Sequence, residues 1–260
     1  MLPYVTILGR TLPSYGMLGM GALLLGLLIA LVRCPRFGLS RDDCAYLYIL
    51  GTIGALVGAK VLYLLPRISE LSADFHLLWE QPEVFAARYL SGGMVFYGGF
   101  LGGVLGAWLA ARYFKLRLSD FFPVLIPALP LIHAVGRVGC FCAGCCYGMP
   151  VSWGVVFPAG GAAPAGVPLL PVQLWEAGAE GVIFLFLLWY SRRVSRPAVL
   201  LRAYVFAYAP VRFVLEFLRG DAARGNLGPL STSQWIGLAA LCACLIWQML
   251  ERRECGRDKA

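Results

Sequence analysis

Seven separate apolar runs recur along the chain, near residues 15–32, 44–65, 94–111, 119–136, 173–190, 199–218 and 232–250. Each approaches the roughly 20 residues of helix needed to cross a hydrocarbon core about 30 Å thick. Inside a bilayer every backbone polar group has to be paired within the protein, so helices and closed barrels are the available spanning structures. The runs are continuous rather than alternating segments of about 10 residues, which argues against a barrel. Hydrophobic residues make up 60% of the chain and charged residues 14%, with a mean hydropathy of +0.74, far from the balance of a soluble domain. The expectation is an all-α, polytopic integral membrane protein of about seven transmembrane helices, forming one domain over residues 1–260.

Lysine and arginine divide unevenly between the two sets of connections. One set carries Arg33, Arg36, Arg41, Arg112, Lys115, Arg117, Arg192, Arg193, Arg196, Arg202, Arg252, Arg253, Arg257 and Lys259. The other carries Arg10, Arg67, Arg88, Arg137, Arg219 and Arg224, while Lys60 and Arg212 fall inside spans. Fourteen against six places the first set in the cytoplasm, with the N-terminus outside and the C-terminus inside. The net charge of +8 sits largely at those cytoplasmic helix ends, where it serves topology and anionic headgroups, so no nucleic-acid partner is implied. The start, Met1-Leu2-Pro3-Tyr4-Val5-Thr6-Ile7, lacks a basic region and a small-residue cleavage site, which reads as a retained first span.

The outward connections are the unusual ones, and segments 66–91 and 137–172 are the candidate interfacial or lid elements. Residues 66–91 mix Glu70, Asp74, Glu80 and Glu83 with Phe75, Leu77, Trp79, Phe85 and Tyr89, a pattern suited to a helix lying in the interface; His76 there reads as solvated surface. Residues 149–172 have the glycine and proline content of a mobile loop, either a lid or a plain connector. On the third span, Gly92, Gly93, Gly98, Gly99, Gly102, Gly103 and Gly106 permit close helix packing. The doublets flanking Tyr97 also allow an irregular backbone lining a cavity.

Ionisable groups at bilayer depth are costly and by default mark a site. Arg137 is foremost, in His133-Ala134-Val135-Gly136-Arg137-Val138-Gly139-Cys140 directly after an apolar run. Lys60 lies within the second span; Gln173 and Glu176 open the fifth. Arg212, Glu216 and Arg219 are spaced i, i+4, i+7, so on a helix they share one face, and two arginines for one carboxylate leave a positive charge over. Arg137, Arg212 and Arg219 would then form a cationic pocket toward the outer leaflet. Guanidinium forks match phosphate, so the natural ligand is a phospholipid headgroup.

At these residues the chain resembles the prolipoprotein diacylglyceryl transferases of the bacterial cytoplasmic membrane. The likeness runs through Ser14-Tyr15-Gly16, Gly58-Ala59-Lys60, the run from Gly92 to Gly99, Gly136-Arg137-Val138-Gly139, Pro171-Val172-Gln173-Leu174-Trp175-Glu176, and Arg212 to Arg219. It implies seven helices and transfer of a diacylglyceryl group from phosphatidylglycerol to a cysteine thiol of a lipoprotein precursor, with release of glycerol phosphate. Arg137 and Arg212 then match the family's arginines, and Tyr15, Gly148, Tyr208, Glu216 and Arg219 fall on family positions. Tyr15, Tyr97, Arg137, Cys140 and Arg212 are the expected catalytic set. Lys60, Gly98, Gly99, His133, Gly136, Gly139, Cys145, Gly148, Gln173, Glu176, Tyr208, Glu216 and Arg219 are expected around the substrate. No cofactor is expected; the partners are phosphatidylglycerol, a protein or other acceptor arriving from the outer leaflet, and membrane lipids.

Three positions depart from the family pattern. Tyr97 stands where the family has histidine, Cys140 where it has asparagine, and Cys145 where it has glutamate. A phenol, ionising ordinarily near pH 10, is a poor base at neutral pH, so the departures predict a changed acceptor or changed proton transfer with the lipid donor unchanged. Cys140, Cys142, Cys145 and Cys146 crowd into seven positions. Outside the cytoplasm disulfides are the leading reading. Four thiolates around zinc are disfavoured because the spacing matches no standard finger and both histidines are remote or needed elsewhere, so no metal ligands are assigned. A nucleophilic cysteine activated beside Arg137 stays open. Two further function classes remain: a phospholipid-binding or transport protein using the cationic pocket without chemistry, and a thiol-redox membrane protein built on the cysteine cluster.

Overall fold

A computed structural model of the chain describes residues 4–7, 9–90, 93–159, 161–194, 196–221 and 225–257. Gly92 of the glycine-rich run, and Arg224 and Lys259 of the charge count, lie outside the described residues. The chain opens with an antiparallel hairpin, β1 (Tyr4–Ile7) and β2 (Arg10–Pro13). Seven long helices follow: α1 (Ser14–Arg33), α2 (Arg41–Leu64), α3 (Phe96–Tyr113), α4 (Phe122–Ala143), α5 (Val172–Tyr190), α6 (Ala198–Phe217) and α7 (Thr232–Arg257). Among the described residues, six of these helices are long and apolar enough to cross a membrane. The seventh, α3, is 18 residues long, and its glycines dilute its hydropathy. The all-α multi-pass architecture expected from the apolar runs is therefore the one observed.

The chain divides into two compact units, residues 31–121 and residues 1–30 with 122–260. In the first, the start of α2 is set by Ser40, whose side chain accepts from the Asp43 backbone N–H at 3.2 Å, with Asp42 and Asp43 placed in the first turn. Helix α2 lies backbone to backbone against α3. A Cβ built on Gly58 would sit 2.3 Å from the Gly98 carbonyl oxygen, and one on Gly102 would sit 2.2 Å from that of Gly54. Without a hydrophobic drive between helices in lipid, such close van der Waals contact is what small residues provide. The glycines from Gly98 on thus serve packing within regular helix, and among the described residues the non-helical stretch ahead of α3 is 93–95. Between the two helices, residues 65–90 are helical in short pieces, Ile68–Ala73, Leu77–Glu80 and Pro82–Phe85 among them.

In the second unit, Ile126, Ile183, Leu187 and Leu200 from α4, α5 and α6 form a buried cluster, capped by Phe122, Tyr190, Tyr204 and Tyr208. Large apolar side chains such as Leu24, Val182, Leu185 and Leu245 point outward, the inverse of a soluble fold. Two expectations are corrected here. Helix α4 runs seven residues beyond the expected end at 136, so Arg137 and Cys140 are held on rigid helix rather than in an outward loop. Residues 149–172 are not a structureless connector: β3 (Pro150–Val156) pairs antiparallel with β4 (Pro168–Leu169) over a small core of Phe157, Ala163 and Leu169. Glycine and proline content signalled turns there but not the hairpin between them.

Candidate active site

Three helices of the second unit carry rows of polar and ionisable residues at helical spacing: His133 and Arg137 on α4, Gln173, Glu176 and Glu180 on α5, and Tyr204, Tyr208, Arg212 and Glu216 on α6. Spacings of three and four keep each row on one face, and the three rows meet. Glu176, 1% exposed, is the hub. Its Oε1 accepts from the Tyr208 hydroxyl at 2.9 Å and lies 3.7 Å from His133 Nε2. Its Oε2 faces Arg137 Nε at 2.9 Å and Arg212 Nη1 at 3.8 Å.

The network continues on both sides. Arg212 Nη2 reaches Glu216 Oε2 at 2.5 Å, and Arg219 Nη1 lies 3.9 Å from the same oxygen. Arg219 donates a two-pronged pair to Asp221, from Nε at 2.9 Å and Nη2 at 2.6 Å. His133 Nδ1 meets Glu180 Oε1 at 2.5 Å, and the Tyr204 hydroxyl donates to that oxygen at 3.4 Å. Two expectations change accordingly. Helix α6 ends at Phe217, so Arg219 reaches Glu216 from the turn beyond it. The expected surplus of positive charge is absent from this group of residues, because Arg137, Arg212 and Arg219 face Glu176, Glu216 and Asp221. Arg137 Nε and Arg212 Nη1 are buried and face Glu176 Oε2 without a well-aligned hydrogen bond, so an acceptor better placed than that oxygen could take them. Buried donors left this way cost free energy unless an acceptor arrives.

Beyond Arg137 the chain turns sharply. Gly144 and Cys146 both take left-handed backbone, φ +70° and +57°, and a non-glycine residue rarely does so without a local reason. The turn is pinned by Cys145 N–H donating to the Cys140 carbonyl at 3.0 Å and Gln173 Nε2 donating to the Cys145 carbonyl at 2.8 Å. Together these aim the thiols of Cys140, Cys145 and Cys146 at one point, with their sulfurs all within 4.8 Å of one another. The described cysteines are free thiols, which corrects the disulfide expectation. Cys142 stands apart, beside Gly144, Phe157 and Gly161, so three thiols converge rather than four. Hydrogen bonding from Cys140 and Cys145, helped by Arg137 and Arg219, holds the Cys146 thiol well below the ordinary thiol range.

Other expected site residues have structural partners. Gly148 is a close-approach glycine: its N–H donates to the Leu170 carbonyl at 2.9 Å, and a Cβ there would sit 2.6 Å from that oxygen. Gly139 faces the Tyr15 ring, half-exposed at the start of α1, and Gly136 faces open space. Lys60, Tyr97, Gly98 and Gly99 belong to the other compact unit. There the Lys60 ammonium donates to the carbonyls of Tyr89 at 2.9 Å, Leu90 at 3.2 Å and Gly93 at 3.4 Å, a role in holding the segment ahead of α3. Glu180, Tyr204 and Asp221 were missed. Glu180 was findable as a second carboxylate one turn after Glu176 on an apolar helix; Tyr204 likewise precedes Tyr208 by one turn.

Comparison with known proteins bears on this geometry directly. A family model described as prolipoprotein diacylglyceryl transferase matches residues 3–250. Phosphatidylglycerol--prolipoprotein diacylglyceryl transferase 2 of Clostridium perfringens is 36% identical over 238 residues, covering 90% of this chain and 89% of that protein. Phosphatidylglycerol--prolipoprotein diacylglyceryl transferases of Clostridium tetani and Geobacter sulfurreducens are 34% and 35% identical, covering 85% and 84% of this chain and 87% and 82% of their own lengths. With partly buried arginines on two helices meeting the carboxylate of a third, and likeness over nearly its whole length, the chain belongs to the prolipoprotein diacylglyceryl transferase family.

Proposed function

We propose that the chain takes the diacylglyceryl group of phosphatidylglycerol and transfers it to the cysteine thiol of a prolipoprotein, releasing glycerol phosphate. The observation that supports this reading best is the convergence of Arg137 and Arg212 on one oxygen of Glu176, two guanidinium groups held side by side in a largely buried site. When the carbon–oxygen bond breaks, the phosphodiester's single negative charge becomes the double charge of a phosphate monoester. Fixed guanidinium groups in a dry site stabilise that increase more than they stabilise the bound lipid, which is how a binding contact becomes a catalytic one. Glu176 keeps both arginines oriented before the lipid arrives, and Glu216 and Asp221 hold the cations behind them.

The positive-inside count supports an orientation with the C-terminal ends of α4 and α6 and the N-terminal end of α5 on the outer side, and the family likeness supports the bacterial cytoplasmic membrane. A phospholipid in the outer leaflet then meets Arg137 and Arg212 headgroup first, and a secreted acceptor reaches the same level from outside. Purified full-length protein, given phosphatidylglycerol labelled in its glycerol headgroup and a lipobox peptide, is expected to release labelled glycerol phosphate in step with peptide lipidation. Lipid binding without release would favour a carrier; neither release nor binding, with thiol exchange on the peptide instead, would favour redox chemistry.

A further inference from the structure

We propose that Cys140, Cys145 and Cys146 together bind one divalent cation of the zinc class and leave its fourth position to the acceptor's cysteine thiol, which attacks the lipid as a metal-held thiolate. The inference rests on the transfer reading above and names how its nucleophile is made.

Three observations lead there. The three sulfurs lie within 4.8 Å of one another, and tetrahedral zinc with bonds of about 2.3 Å sets its sulfurs roughly 3.8 Å apart, so small side-chain rotations close the site. Among the described residues no fourth cysteine, histidine or carboxylate joins the group, and a protein ligand count of three with one open position is the pattern of catalytic rather than structural zinc. The ligands are also fixed from behind, through the Gln173 and Cys140 hydrogen bonds that pin the turn, and Cys145 and Cys146 are only partly buried, so the open side is reachable.

Chemistry supplies the need. A thiol must lose its proton to attack carbon, and the basic groups of this network are engaged: His133 between Glu180 and Glu176, and Glu176 and Glu216 by arginines. A thiol that coordinates a dication is deprotonated outright. Three thiolates on a dication carry one net negative charge, four carry two, and Arg137 and Arg219 act electrostatically on Cys146 to offset them. In the step itself the acceptor S–H gives its proton to water on binding. The sulfur's electron pair then forms the S–C bond to the glycerol carbon, the C–O bond breaks, and its electrons leave with glycerol phosphate. The thioether product is a poor ligand and departs.

The test begins with metal content of the full-length protein purified with zinc in the buffers, which is expected near one equivalent per chain and near zero in Cys145→Ser and Cys146→Ser. Cobalt exchanged into the wild-type protein should show thiolate-to-cobalt absorption that changes on adding a lipobox peptide and stays unchanged with the serine form of that peptide. Less than a tenth of an equivalent of metal in wild-type protein, equal metal in the serine variants, or a cobalt spectrum indifferent to the peptide thiol overturns the proposal. So does a thiol titration of the denatured wild-type protein that finds two of the three cysteines oxidised. Diacylglyceryl transfer is read separately: stripping with phenanthroline should reduce it at least tenfold and zinc should restore it. Full transfer by stripped protein sinks the metal step and leaves the transfer reading intact. No transfer by metal-loaded protein sinks the transfer reading and with it the proposed role of the open position.

Discussion

The α2–α3 pair and the arginine–carboxylate network at the ends of α4, α5 and α6 solve opposite problems with opposite means. The helix pair is held by taking atoms away: glycines at 54, 58, 98, 102 and 106 bring backbones into contact. The network is held by adding costly atoms, three arginines and their acids, in a region where each cation is tolerated because another group faces it. The first kind of contact fails through size and the second through charge. Substitutions chosen by size or by charge alone should therefore separate the two.

The largest effect is expected from size in the glycine pair. In Gly58→Leu or Gly102→Leu the new Cβ alone would lie 2.3 or 2.2 Å from a carbonyl oxygen, and backbone cannot step aside as a flexible side chain does. A cost of about 3 kcal/mol or more follows, read as loss of monodisperse folded protein in detergent. The matching substitution in the other unit, Gly178→Ala on α5, meets nothing within 4 Å and should raise helix stability by about 0.5–1 kcal/mol. A well-folded Gly102→Leu protein would show that the close approach does not hold the pair together.

Next comes charge without size. Glu176→Gln keeps the shape of the hub but removes the carboxylate that Arg137 and Arg212 both face, leaving buried cations short of a partner at a cost of about 3–5 kcal/mol. Thermal unfolding should shift down strongly, and diacylglyceryl transfer should fall along with it. An unchanged melting profile would mean that Glu216 alone suffices to hold the arginines.

These two predictions also mark what could be read from residues alone. The apolar runs and the glycine spacing were legible because helix and close packing follow from local periodicity. Arg137 and Arg212 were legible because a charge in an apolar run has to be explained. Charge balance was not legible: that Glu176 of α5 faces Arg137 of α4 and Arg212 of α6 depends on tertiary approach that spacing does not encode. The hairpin within 149–172 escaped for the same reason, since its partner strand is two residues long. The cysteine cluster was read correctly as unusual but not as three converging thiols with a fourth turned aside, because the left-handed turn at Gly144 and Cys146 decides which sulfurs meet.

A smaller change at the same site tests geometry apart from charge. Arg137→Lys and Arg212→Lys each keep a cation near its carboxylate, so unfolding should move by no more than about 1 kcal/mol, whereas the planar fork that orients a phosphate is lost. Transfer should fall roughly 100-fold in each, most of it in kcat rather than KM, the range seen when one fixed donor to a developing charge is removed. Near-normal turnover in both variants would show that neither arginine touches the phosphate during reaction.

The smallest effect is expected where the glycine-packed unit does carry a charge. Ahead of α3, Asp74 accepts from the Tyr89 hydroxyl at 2.6 Å and pairs with Arg88. The Tyr89 hydrogen bond first, and Arg88 second, hold the Asp74 carboxyl below its ordinary value. A depressed folded-state value means the contact stabilises the protein fully above the ordinary carboxylate range near pH 3.9 and is lost as pH falls through the lower, folded value. Because this contact is open to water, salt and solvent screen it, and Asp74→Asn should leave the melting temperature at neutral pH close to that of the parent. The parent and variant curves should converge further on acidification. A large drop in the variant at neutral pH would mean that this unit depends on charge after all, and that packing at the glycines is only part of what holds it.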